Sequence, residues 1–230
     1  MIRCGRFTLT VNPADLQDAF SEYTFPKRFS PRFNIAPTQP VLAIPNDGKQ
    51  EANFFIWGLI PMWAKDPSIG SRLINARGET IAEKPAFRGS LKYKRCLILA
   101  DGFYEWKTVE GKKSKVPYFI HMKDRKPFAF AGLWDSWNSP DGSQIRTCTI
   151  ITTEPNDLMS IIHDRMPVIL HPRDYAKWLD ETPQTPDALK PLIKPFPAEA
   201  MDAYPVSPLV NKPANDMPEL VVPAKTSRQP

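Results

Sequence analysis

Cysteine is scarce in this chain: three in 230 residues, at positions 4, 96 and 148. Odd in number and far apart, they exclude a disulfide framework and paired metal ligands. Histidine is equally scarce, with three copies, and no His or Cys spacing matches a ligand pattern, so neither a metal nor a cofactor is expected. Glycine numbers ten against twenty-six prolines. With proline spread throughout, regular elements are cut short and rigid turns are many. Long apolar runs are absent: none approaches the ~20 residues of a membrane helix, and no secretory signal pattern is present. These absences lead to the expectation of a reducing cytoplasm and no membrane attachment. The net charge of +5 is a mild surplus, which permits nucleic-acid binding without arguing for it.

What is present is a folded chain, 42% hydrophobic and 11% aromatic. Branched and aromatic runs predict strands at Val41–Ile44, Asn53–Trp57, Arg95–Ala100, Tyr118–Met122, Phe128–Trp134, Arg146–Thr152, Val168–Leu170 and Glu219–Val222. Cys96 and Cys148 lie inside such runs and read as small buried residues. Asn12 before Pro13 predicts a helix running to about Ser21. A second helix is predicted from Pro155, with Leu158, Ile161 and Ile162 on one stripe, and a third from Pro172 through Trp178. Strands do not alternate with helices, which argues against a doubly wound α/β sheet. The expected fold class is α+β, a mainly β single domain over residues 1–225, with 226–230 a disordered tail.

Cys4 is the residue with the most unusual chemistry. At an N-terminus a cysteine is a 1,2-aminothiol: the amine forms an imine with an aldehyde, the thiol adds to the imine carbon, and a five-membered thiazolidine closes. A neighbouring Arg6 and a protonated His163 would lower the thiol pKa and favour attack. An α-amine titrates near ~8 and is partly neutral at cellular pH, whereas lysine near ~10.4 is mostly protonated.

Other segments each have a bland reading and a functional one. Leu73–Thr80 reads alone as a surface turn capped by Asn75. Glu105, between Tyr104 and Trp106, is either an exposed hairpin acid or a buried carboxyl raised toward proton-shuttling values. His163 ends the second predicted helix, where the dipole favours a protonated imidazole. Basic and aromatic residues interleave at Trp57–Lys65 and Phe87–Arg95, which suits single-strand binding or a solvated loop beside core tryptophans.

Together these segments are far more specific. Cys4-Gly5-Arg6-Phe7, Asn34-Ile35-Ala36-Pro37, Trp57-Gly58 with Pro61 and Trp63, Ile74-Asn75-Ala76-Arg77 with Glu79-Thr80, Ala100-Asp101-Gly102 with Glu105-Trp106, Ile162-His163-Asp164-Arg165-Met166-Pro167 and Pro205-Val206-Ser207 occur in order. In that set the chain closely resembles the SRAP family, the SOS response-associated peptidases, over nearly its whole length. The resemblance implies mixed and antiparallel sheets in a barrel-like arrangement with short helices. It implies a monomer that recognises abasic sites in single-stranded DNA and traps their aldehyde as a thiazolidine crosslink, with lyase-like chemistry and cysteine autopeptidase activity. By the same motifs Cys4 would be the nucleophile, Asn75 would hold the sugar, Glu105 would shuttle protons and His163 would assist ring opening. Arg6, Asn34, Trp63, Arg77 and Arg88 would contact DNA, Trp63 as a wedge or stacking platform. Two alternatives stand beside this reading: a cysteine (auto)peptidase, and a non-covalent single-strand-binding module.

One departure bears on the chemistry. Family members usually carry the cysteine directly after the initiator methionine, whereas Ile2 and Arg3 intervene here. Routine methionine removal does not expose Cys4, so thiazolidine chemistry requires cleavage between Arg3 and Cys4. An internal Cys4 could form only a reversible hemithioacetal.

Overall fold

The computed structural model describes residues 4–111 and 114–224. The leader Met1–Arg3 and the expected tail at 226–230 lie outside the described residues. The architecture is mainly β with short helices, in the α+β class expected. The strands are β1 (Phe7–Leu9), β2 (Arg32–Ile35), β3 (Pro40–Pro45), β4 (Asn53–Trp57), β5 (Asn75–Arg77), β6 (Arg95–Ala100) and β7 (Gly102–Lys107). They continue as β8 (Val116–Met122), β9 (Phe128–Asn138), β10 (Gln144–Thr153), β11 (Met166–Pro167), β12 (Ile169–Leu170) and β13 (Met201–Pro205).

Five strands close on themselves. β10 pairs with β4, β4 with β3, β3 with β6, β6 with β9, and β9 returns to β10. Closure removes the exposed edges that strands as apolar as β6, buried along its whole length, would otherwise present. Only the β4–β10 pairing in this ring is parallel. Beyond β4 on the same side of β10, β5 also pairs in parallel, Asn75 opposite Ile150. The second sheet is antiparallel, ordered β13-β8-β7-β1-β2.

One apolar core runs through both sheets. Phe7 of β1 meets Trp57 and Phe130 of the barrel edge-on, with ring centroids 5.2 and 5.6 Å away. Burying each such ring stabilises the fold by roughly 1.5–3 kcal/mol. Gly102 lets β7 sit against β8: a Cβ there would lie 2.2 Å from Phe119 Cζ. Asp101, at the corner between β6 and β7, is buried and accepts from the Thr8 and Thr10 hydroxyls and from the Thr10 and Val11 N–H groups. It fastens the end of β1 to that corner.

The helices are brief: α1 (Pro13–Ala19), α2 (Arg88–Tyr93), α3 (Asp157–Ser160), α4 (Tyr175–Trp178) and α5 (Pro186–Leu189). Asn12 caps α1 as expected, accepting the Asp15 N–H at 2.9 Å. The helix expected from Pro155 is a single turn capped by Asn156, and Ile161 is exposed rather than on a buried stripe. The third expected helix begins at Pro172 as a 3₁₀ turn before becoming α4. Glu219–Val222 is not a strand. Pro218 opens a 3₁₀ turn through Val221 that buries Leu220 alone, against Tyr104, Phe119, Val206 and Val210. No described helix is long and apolar enough to cross a membrane.

Candidate active site

The site forms where the two sheets meet. β1 lies between β2 and β7, so the residues just before it run beside β7. There the Cys4 N–H donates to Glu105 Oε1 at 2.8 Å. Asn75 reaches across from β5, its Nδ2 donating to the Cys4 carbonyl at 3.4 Å. His163 follows α3 and brings Nε2 to 3.8 Å from Glu105 Oε2. Cys4, Asn75, Glu105 and His163, drawn from distant parts of the sequence, thus surround one point. Cys4 holds a left-handed backbone, with φ of 40°.

The site is dry. Glu105 is 1% exposed and Cys4 5%. Burial pushes the Glu105 carboxyl above the ordinary carboxylate range, while the His163 imidazole and hydrogen bonds from Cys4 pull it back. The Cys4 thiol is pushed well above its usual value, first by burial, then by the Glu105 carboxylate and the hydrogen bond to it. This reverses the expectation of an activated thiolate. Arg6 faces elsewhere, and the cation that favours the thiolate is Arg165. The resting nucleophile is therefore a thiol, with the Glu105 carboxyl held by the backbone N–H of the same residue.

His163 Nδ1 accepts the Arg165 N–H at 3.2 Å, which leaves the proton of a neutral ring on Nε2, facing Glu105. Asp164 Oδ1 lies 3.1 Å from Nδ1. His163 stands beyond α3, which is a single turn rather than the helix expected. Arg165 is clamped by both oxygens of Glu79, at 2.6 and 2.8 Å, and donates to the Thr152 carbonyl at 2.9 Å.

Asn75 is not a turn cap: it sits in β5, paired with β10, and the Trp57 indole N–H holds the preceding Ile74 carbonyl at 2.8 Å. Arg6 donates to Asn34 Oδ1 (2.8 Å) and the Val210 carbonyl (2.6 Å), with its guanidinium 5.8 Å from the centre of the Trp106 ring. Asn34 is fully buried, and its Nδ2 donates to the carbonyls of Val210, Lys212 and Asn215. It organises the wall behind Arg6, and its amide is not free for DNA as the family pattern suggested. Beside them a cleft of about 830 Å³ is lined by Gly5, Arg6, Pro37, Ile74, Trp106 and Asn211 among others. Trp63 and Arg77 are exposed. Arg88 is exposed at the start of α2, which packs on β6 and β9, and no described hydrogen bond joins it to the cluster.

Sequence reading assigned no role to Glu79, Asp164 or Arg165. All three lie in quoted motifs, but only the fold shows that Glu79 and Arg165, 86 positions apart, form one ion pair.

Comparison with known proteins shows the family. The family model described as "SOS response associated peptidase (SRAP)" matches residues 3–213. The abasic site processing protein YoqW of Bacillus subtilis (strain 168) is 49% identical over 95% of this chain and 98% of its own length. The chicken (Gallus gallus) abasic site processing protein HMCES is 35% identical, covering 96% of this chain and 77% of its own. A crystal structure of a protein from Bacteroides thetaiotaomicron superposes with a TM-score of 0.85 at 29% identity, over 96% of this chain and all of that one.

Proposed function

The chain belongs to the SRAP family, and from that premise we propose that it senses abasic sites in single-stranded DNA and captures them covalently through Cys4 once that residue is N-terminal. The abasic-site processing names of its relatives support the lesion as substrate. The observation that carries the chemistry is a single buried carboxyl, Glu105, hydrogen-bonded to the nitrogen of Cys4, the residue whose thiol would add next. Aminothiol condensation needs a proton carrier between those two groups.

The ring-opened deoxyribose presents an aldehyde at C1. The Cys4 amine adds to it, giving a carbinolamine. Glu105 delivers a proton to the departing hydroxyl, which leaves as water, and an imine remains. The thiol sulfur then bonds to the imine carbon while its proton passes through Glu105 to the nitrogen, closing the thiazolidine. One water is released and nothing is oxidised or reduced. Asn75 Nδ2 holds the Cys4 backbone and the sugar in register. His163, with Nε2 toward Glu105, assists ring opening. Arg77 and Trp63 meet the phosphates and bases beside the lesion, and Arg6 lines the cleft the strand enters. The protein acts as a monomer.

A resting cysteine peptidase would need a thiolate. Burial raises this thiol instead, which counts against a resting thiolate. Incubation with an abasic single-stranded oligonucleotide, followed by a denaturing gel and intact-mass analysis, tests the reading. A denaturation-resistant band whose protein part begins at Cys4 is expected. Loss of the leader with no shifted band would establish the peptidase instead, and binding that vanishes on denaturation would leave only a non-covalent module. A crosslinked species still carrying Met1–Arg3 would remove the requirement for cleavage.

A further inference from the structure

The chain leaves β5 at Arg77 and enters β11 at Met166, and both strands pair with β10 at Thr152. The Thr152 carbonyl gathers the two ends, accepting the Gly78 N–H at 2.9 Å and Arg165 Nη2 at 2.9 Å. Glu79 closes the gap, its two carboxylate oxygens taking Nη1 and Nη2 of Arg165. That hydrogen bonding holds the Glu79 carboxyl below the ordinary carboxylate range, so the clamp is charged at neutral pH. The Arg165 side chain is only 12% exposed and that of Glu79 50%. Neutralising a cation that burial penalises is one service of the pair.

The main chain of the same arginine performs another. The Arg165 N–H donates to His163 Nδ1 at 3.2 Å, and Asp164 Oδ1 stands 3.1 Å from that same nitrogen. One ring nitrogen thus faces a donor and an acceptor, and a neutral imidazole satisfies only one of them. As an acceptor, Nδ1 takes the Arg165 N–H and the ring proton sits on Nε2. As a donor, Nδ1 gives its proton to Asp164 and Nε2 is left bare. Nε2 faces Glu105 Oε2, 3.8 Å away. The choice at Nδ1 therefore decides whether the ring offers the active site a proton or a lone pair. A charged acceptor is the stronger partner of the two, so something must hold the amide in place against Asp164. The root of the ring is fixed separately, the His163 N–H donating to the Met159 carbonyl at 2.8 Å.

We propose that Glu79 is a positioning residue for His163: by clamping the Arg165 side chain it keeps the Arg165 N–H on Nδ1, and so selects the ring form whose proton, on Nε2, points into the active site. Its effect on rate rests on the reading above, in which His163 assists ring opening; its effect on the ring does not. Glu79 itself touches neither Cys4 nor Glu105 by any described hydrogen bond. It acts from the outer side of Arg165, three links from the reacting atoms. Asn75 does not depend on it, since β5 is already held opposite Ile150 of β10.

Long-range proton–nitrogen NMR of the full chain with ¹⁵N-labelled histidine, taken above the ordinary histidine range, reads the ring form directly and needs no DNA. The chain has three histidines, and the signal lost in His163→Ala identifies the one of interest. The parent ring carries its proton on Nε2, and Glu79→Gln, which keeps the side chain's shape but not its charge, moves it toward Nδ1. An unmoved proton, or a parent ring protonated on Nδ1, overturns the proposal. Should Glu79→Gln not fold, Arg165→Lys, which trades the two-pronged grip for a point charge, is read in the same way. Rates then separate positioning from general damage. With an abasic single-stranded oligonucleotide, whose sugar must open, Glu79→Gln slows single-turnover crosslinking by up to about 10²-fold, the scale of a displaced reacting group. In the His163→Ala background it has no further effect. With an oligonucleotide bearing an open-chain alkyl aldehyde that cannot close a ring, the loss is smaller. Equal losses on the two oligonucleotides overturn the positioning role while leaving covalent capture intact. A parent chain that crosslinks neither overturns the capture reading, and the NMR result still decides the role of Glu79.

Discussion

Asp101 and Glu105 flank and occupy one strand, and both carboxyls are buried. Their partners differ in kind. Asp101 is ringed by scaffold donors, the hydroxyls of Thr8 and Thr10 and the N–H groups of Thr10 and Val11. None of these exchanges protons near neutral pH, so the group acts as a fastener. Glu105 accepts the N–H of Cys4, the residue that carries the thiol, and lies 3.8 Å from an imidazole. Its neighbours include the Cys4 thiol and the imidazole, which exchange protons, so the same functional group becomes a proton carrier. Burial alone does not mark a catalytic acid; what surrounds it does.

The most complete break removes what Glu105 serves. Cys4→Ala abolishes the denaturation-resistant DNA adduct, and a surviving band on a denaturing gel would refute Cys4 as the nucleophile. Next, the two carboxyls should fail in opposite ways. Glu105→Gln slows crosslinking by about 10²–10⁴-fold, the usual contribution of a positioned proton-transfer group, while melting at or above the parent temperature at neutral pH. Asp101→Asn instead lowers stability by about 1.5–3 kcal/mol, the range for a hydrogen bond to a charged group. The folded fraction should still crosslink at the parent rate. Denaturant melts beside single-turnover rates separate the two, and matching defects would erase the distinction.

A gentler probe is pH. In the unfolded chain Glu105 titrates near ~4.3; in the fold it holds its proton to higher pH. The stability gained from holding that proton is full below the unfolded value and is lost as pH rises through the folded one. A glutamine has no proton to lose. The melting advantage of Glu105→Gln over the parent should therefore grow with pH across that window and then level off. Parallel stability curves would show that Glu105 does not titrate differently in the fold. The smallest effect is at the periphery: Arg77→Ala should flatten the salt dependence of single-strand binding by about 0.7 in log–log slope, one phosphate contact. An unchanged slope removes Arg77 from the interface.

The apolar strands were legible because they are unbroken branched and aromatic runs: β4 and β6 were read to the residue, although only β6 is buried along its whole length. β1 and β5 span three residues each, and β2 carries Arg32 and Asn34, so none shows a pattern that local periodicity detects. β5 exists only because β10, far along the chain, supplies a parallel partner, which is why Asn75 looked like a turn residue. The cluster of Cys4, Asn75, Glu105 and His163 was legible through its motifs. Its electrostatics were not. Arg6, two residues from Cys4, seemed the natural activator of the thiol, yet the fold turns it onto Asn34 and the Val210 carbonyl. Asn34 itself proved to be wall rather than contact surface.

The left-handed φ of 40° at Cys4 has a consequence for the history of the polypeptide. That torsion is defined by the carbonyl of the residue before it, so it exists only while Arg3 is attached. A non-glycine residue held there costs about 1–3 kcal/mol, and severing the bond deletes the rotation outright instead of relaxing it. A chain made to begin at Cys4 would be free of that strain and should melt above one that keeps Arg3.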